Sequence, residues 1–133
     1  MAFLRLVMAA AIAAILLGCE SAPIKAIQQE FKSLFAPHKG EADLASGIKQ
    51  YEDGNYSAAA RLLQSSLDQG LGRRDQVRAH KYLAFIHCVS GRERRCRDEF
   101  RAALKIDPSF ELAANEAGHP TWGPAFRSVK GEQ

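Results

Sequence analysis

Apolar residues recur at steps of three and four through several stretches of the chain. With polar residues between them, that spacing predicts helices that each bury one stripe. Leu44, Ile48 and Tyr51 form one stripe, and Val77, Leu83, Ala84 and Ile86 form another. Leu62, Leu63, Leu67, Phe100 and Leu104 fill the space between neighbouring helix pairs, while Gly47, Ala59, Ala84 and Ala103 are small enough to let paired helices approach closely. Ile24, Ile27, Phe31, Leu34 and Phe35 predict a further N-terminal helix, ended by Pro37-His38-Lys39-Gly40. Asp107-Pro108 stops the last patterned helix, because proline lacks an N–H and disfavours helix in the residue before it. The expected fold class is all-α.

The pattern also repeats. Gly47, Tyr51, Gly54, Tyr56, Ala59 and Leu67 correspond to Ala84, Cys88, Gly91, Glu93, Cys96 and Leu104, a constant shift of 37 positions. With Asn55, Leu83, Phe100 and Ala103, these residues make the chain resemble a tetratricopeptide protein, whose repeat is a helix-turn-helix of about 34 residues. Glu93 and Cys96 depart from that family's tyrosine and alanine. The excess length is expected in a lengthened inter-repeat loop at Gly70-Leu71-Gly72-Arg73-Arg74. The resemblance implies a short array of two helix pairs, at about 41–70 and 75–108, in a domain spanning 24–133. Two pairs alone leave apolar ends open, so the N-terminal helix and a C-terminal segment at 109–130 are expected as caps.

Ahead of this domain, the run from Leu6 to Leu17 follows a positive amino terminus and Arg5, the order of a secretory signal. The run is shorter than the about 20 apolar residues a spanning helix needs. Leu16-Leu17-Gly18-Cys19 closes it and resembles a bacterial lipoprotein cleavage box. That resemblance implies a leader at 1–18, acylation of Cys19, and a short tether at 19–23. The several acyl chains expected there make a lasting anchor. Glu20, in place of the aspartate that retains such lipoproteins in the inner membrane, implies the periplasmic face of the outer membrane.

Composition then narrows the chemistry. Eighteen Lys and Arg against 15 Asp and Glu leave a charge of +3, too balanced to indicate a nucleic-acid binder. With Cys19 acylated, Cys88 and Cys96 remain, in a compartment that permits a disulfide. Gly91 marks a turn between them, so antiparallel helices can bring the thiols together, and two buried free thiols are the alternative. His80, His87, Cys88 and Cys96 suit a metal poorly, since the adjacent His87 and Cys88 diverge on a helix. No metal and no cofactor are expected. Nothing pairs a nucleophile with a base, sets two carboxylates together or supplies a phosphate-binding glycine loop, so the chain is read as a non-enzyme.

Binding surfaces are the remaining chemistry. By analogy with tetratricopeptide modules, first helices line the concave face, which makes Leu44, Ile48, Tyr51, Arg78, Lys81, Phe85 and Val89 candidate groove residues. The competing reading places several of them in the core. Trp122 and Phe126, beside Pro120 and Pro124, either cap the last repeat helix or anchor a partner. Arg92, Arg94, Arg95, Arg97 and Arg101, with Arg73, Arg74 and Arg78 nearby, are expected to form one positive region.

The tail, the two-cysteine second repeat and the cleavage box together resemble tetratricopeptide lipoproteins associated with bacterial type VI secretion. Ala113-Ala114-Asn115 departs from that group's usual proline- or serine-rich start of the last segment. The resemblance implies a lipid-anchored adaptor that binds an envelope protein and acts on no small molecule. A pilotin-like assembly factor for a secretin or pilus, and a metal- or thiol-redox protein, are the rival readings.

Overall fold

The computed structural model describes Ile27, Gln28, Phe31 and residues 38–133. Ile27, Gln28 and Phe31 are helical, whereas the leader, Cys19, the tether and the rest of the expected N-terminal cap lie outside the described residues. Met1–Ala36 and Pro37–Gln133 are separate units. The second holds α1 (Glu41–Glu52), α2 (Tyr56–Gln69), α3 (Arg73–Val89), α4 (Glu93–Ile106), α5 (Ala114–Ala117) and α6 (Trp122–Lys130). No strand occurs among the described residues, so the fold is all-α.

The helices form two successive hairpins, α1 on α2 and α3 on α4, with α2 packed against α3. Their turns are the same structure shifted by 37 residues. Gly54 and Gly91 take φ of +79° and +71°, a left-handed conformation that L side chains adopt only under strain. The Asn55 N–H donates to the Gln50 carbonyl at 2.8 Å, and the Arg92 N–H donates to the His87 carbonyl at 2.9 Å. Each turn thus satisfies the carbonyls left over at a helix end. The second helices bury one shared stripe. Ala59 and Cys96, Leu63 and Phe100, and Ser66 and Ala103 are equivalent pairs, and all six are 0% exposed. The Ser66 hydroxyl donates to the Leu63 carbonyl at 2.7 Å, which removes the cost of burying it.

The extra length relative to a shorter repeat does not sit in the loop. Only Gly70, Leu71 and Gly72 separate α2 from α3. Leu71 is buried among Leu44, Leu63 and Leu83, which draws the connection inward, and Gly70 at φ +98° turns the chain after α2. Arg73 and Arg74, expected in the loop, are the first residues of α3, where Asp75 favours the helix start by facing the positive end of its dipole. The added residues have become helix, 17 residues in α3 against 12 in α1.

That longer α3 is the spine of the domain. Leu83 and Ile86 face Leu44, Ala59 and Leu63 of the first hairpin, while Ala84, Phe85 and Cys88 face Phe100, Leu104 and the tail. Asp107 adopts the extended conformation that a following proline favours, and α4 ends at Ile106. The tail then returns as α6 along α4 and α3. Pro124 lies in the first turn of α6, where a missing N–H leaves no hydrogen bond broken. Trp122, Ala125, Phe126 and Val129 are its buried face.

Candidate interaction face

Tyr51 is the meeting point of the face that α1 and α3 share. Its ring centroid lies 5.0 Å from that of Tyr82 on α3 and 5.6 Å from that of Tyr56 at the start of α2. These are all the tyrosines of the chain. Burial, helped by Tyr56, Tyr82 and the Glu116 carboxylate, pushes the Tyr51 phenol up to about 12, so it stays a neutral hydroxyl. Phe85 lies beneath, 6.3 Å from Tyr51 and 6.0 Å from Tyr82.

Beside the tyrosines, Lys81 Nζ pairs with Glu116 Oε1 at 2.6 Å, and their side chains are only 15% and 18% exposed. The same ammonium sits 4.7 Å above the Tyr82 ring and 5.6 Å above that of Phe85. Glu116 also accepts from the Ala113 N–H through Oε2, so one carboxylate ties α3 to the tail and caps α5. Lys81 is therefore a neutralised structural group rather than a free cation for a ligand.

The nine residues expected to meet a partner separate into two groups. Leu44, Phe85, Trp122 and Phe126 are buried, at 3%, 2%, 9% and 4% exposure, and are spent on the core because each fills an interface between helices. Trp122 stacks on Phe85, and Phe126 meets Phe100 edge to face. Ile48 and Tyr51 are half-buried, Lys81 is paired, Arg78 is exposed and bound to Asp75 at 3.0 Å, and Val89 is open to solvent. Tyr82 was not among the expected groove residues, although it lies two turns before Val89 on one face of α3. Tyr56, a position of the 37-residue repeat, is 39% exposed at the start of α2.

The expected single positive region divides in two. Arg73, Arg74 and Arg78 lie at the start of α3, and Arg92, Arg94, Arg95 and Arg97 lie at the start of α4, where α3 has ended. Along α3, Arg78 lies 89 − 78 = 11 residues, about 16 Å, from the helix end at Val89, and α4 runs back beside it through Arg97 and Arg101. Most of these charges are also engaged. Arg97 pairs with Glu93, Arg94 with Asp98, and Arg101 with Asp98 and Glu132. Arg73 donates to the Ile106 carbonyl and Arg92 to His87 Nδ1.

Cys88 and Cys96 stand at disulfide distance, with Cα atoms 5.1 Å apart, and are 6% and 0% exposed. The bridge joins the last turn of α3 to the first turn of α4. The histidines beside it are otherwise occupied: His80 Nδ1 lies 2.7 Å from Glu99 Oε2, and His87 takes the Arg92 bond. Among the described residues, no three His, Cys, Asp or Glu side chains are grouped as a metal ion would need. No helix among them is long and apolar enough to cross a membrane.

No protein-family model matches the sequence, and no curated protein or solved structure is detectably similar to it. The functional reading therefore stands on the geometry of the hairpins and of the face they present.

Proposed function

We propose that this protein is a lipid-anchored, tetratricopeptide-like adaptor that binds a protein partner through the face of α1 and α3. In this reading the leader at 1–18 is removed, Cys19 is acylated, and the domain faces the periplasm from the outer membrane as an accessory part of a type VI secretion apparatus. It performs no reaction. The observation that supports the array is the 37-residue recurrence of helix ends, turn hydrogen bonds and buried stripe, because repeated hairpins of this kind stack to offer a surface rather than enclose a reaction centre.

The test is site-specific photo-crosslinking in cells, with the reactive group placed at Val89 on the face or at Arg94 on an exposed edge. Crosslinks to an envelope protein from Val89 and none from Arg94 are the expected result. Metabolic labelling with a fatty acid checks the anchor, and label that persists in Cys19→Ser would remove it. Equal crosslinking from both positions, or from neither, would overturn the adaptor reading.

A further inference from the structure

Arg73, Arg74 and Arg78 line a cleft at the end of the domain where the chain enters it. We infer that this cleft holds the phosphate headgroup of an anionic phospholipid, a deduction that rests on the lipid-anchored reading above and adds a second contact with the membrane. Three observations carry it.

The first is the cleft itself. A space of about 500 Å³ is bounded by Arg73, Arg74, Val77, Arg78, Asp107 and Phe110, a size within the range of small-ligand sites. Arg73 is pinned by its bond to the Ile106 carbonyl, a neutral acceptor that leaves the guanidinium its charge and its other donors. Arg74 is exposed and makes no ion pair among the described residues. Planar guanidinium forks match phosphate oxygens two at a time. Val77 and half-buried Phe110 set an apolar wall beside these cations, which suits an amphiphile better than a bare anion.

The second is sign. The near balance of the whole chain hides a division between the hairpins. Glu41–Gln69 carries two Lys and Arg against five Asp and Glu, whereas Arg73–Ile106 carries ten against four, so an anionic ligand is drawn to the second hairpin. The carboxylates at the cleft are already bound within the chain, Asp75 by Arg78 and Asp107 by the Ser109 N–H and hydroxyl. Neither pairs with Arg74.

The third is position. The Gly40 N–H donates to the Gly70 carbonyl at 3.1 Å, and His38 Nε2 lies 3.3 Å from where a Cβ on Gly72 would stand. The segment that leads back toward Cys19 therefore joins the domain beside the first turn of α3, next to Arg73 and Arg74. Arg94 and Arg95 lie past the opposite end of α3. With Cys19 acylated, the cleft is at the end of the domain that the chain from the anchor reaches first, and the anion such an anchor brings with it is a phospholipid headgroup.

Calorimetric titration of the purified full chain tests this, with soluble short-chain phosphatidylglycerol, its phosphatidylcholine counterpart, inorganic phosphate and an acidic peptide as probes. Phosphatidylglycerol is expected to bind most tightly, phosphate more weakly, and the other two not at all. Arg74→Gln should weaken the lipid about fivefold, the loss of one cation beside a headgroup, and Arg74→Gln/Arg78→Gln should weaken it further. Arg94→Gln/Arg95→Gln removes the same charge at the opposite end and should leave binding unchanged, and every variant should keep the wild-type circular dichroism spectrum. No phosphatidylglycerol binding, equal binding of any other probe, or the same loss from both pairs of substitutions would overturn the inference. A chain that carries fatty acid at Cys19 yet fails this titration keeps its anchor and loses this site. Label that persists in Cys19→Ser instead removes the anchor, and with it the choice of a lipid.

Discussion

Phe85 and Trp122 stack with ring centroids 4.3 Å apart and planes 21° from parallel, and this contact fastens the C-terminal segment to the spine of the domain. His119 stacks on the other side of the indole at 3.3 Å, and Trp122 Nε1 donates to the Glu116 carbonyl at 2.9 Å. The indole thus buries its ring faces and satisfies its N–H, as a buried tryptophan requires. Trp122→Ala should cost about 3–5 kcal/mol, the usual loss for deleting a large buried aromatic. Urea unfolding followed by circular dichroism measures it, and a loss under about 1 kcal/mol would mean that α6 does not cap the second hairpin.

Close approach within the first hairpin depends on a missing side chain. A Cβ on Gly47 would come within 2.9 Å of Leu63 Cγ and 3.1 Å of the Leu63 backbone N. Gly47→Ala should therefore destabilise by about 1–3 kcal/mol through overpacking, despite alanine's better helix propensity. Gly54→Ala is the contrasting case, since nothing lies within 4 Å and only its φ of +79° opposes the change. A loss of about 1–2 kcal/mol is expected there. Thermal unfolding of the two variants checks both values, and a Gly47→Ala protein more stable than wild type would show that α1 and α2 can separate without loss.

Helix pairs, turn glycines and the helix stop at Asp107 were legible in the sequence because each is a local rule repeated twice or tied to proline. The placement of the extra length was not. Loop residues and a longer helix read alike at Gly70–Arg74 until the burial of Leu71 decides between them. The face was only half legible, since apolar spacing marks a stripe without saying which of its members end under another helix. Phe85 and Leu44 obey the same periodicity as Val89, yet only Val89 remains open. Tyr82 went unnoticed because its significance comes from Tyr51 across an interhelix gap, and Glu116 because its partner Lys81 lies 35 positions earlier. The arginines looked like one patch because sequence proximity at a turn hides the length of the helix between the groups.

His87 gives the second hairpin a dependence on pH. Burial first, and then the neighbouring Arg92 guanidinium, hold its imidazole below the ordinary value of 6.5, and Arg92 Nε donates to its Nδ1 at 3.0 Å. A protonated ring cannot accept that bond. Because the folded value is the lower one, the unfolded chain binds more protons in the interval between the two. The stabilising contribution is therefore fully present above 6.5 and is lost as pH falls through the folded value. Denaturation midpoints should drop as pH falls below 6.5, and His87→Gln should flatten that slope. An unchanged slope in the variant would place the pH dependence elsewhere.

The Cys88–Cys96 bridge closes a loop of sequence separation 8 around the glycine turn of the second hairpin. The first hairpin has Tyr51 and Ala59 at the equivalent positions and holds its turn with hydrogen bonds alone. The bridge therefore adds stability without being needed for the turn geometry. In the chain-entropy account, a loop this short contributes about 2.5 kcal/mol by restricting the unfolded chain. Cys88→Ala/Cys96→Ala should lose about that amount while keeping its helical content, since alanine fits both small buried sites. A disulfide has no free thiol, so the oxidised wild type should label with a thiol reagent at neither Cys88 nor Cys96 until it is reduced. Two thiols that label freely without reductant, in protein exported to an oxidising compartment, would remove the bridge and return the pair to the role of small buried hydrophobes.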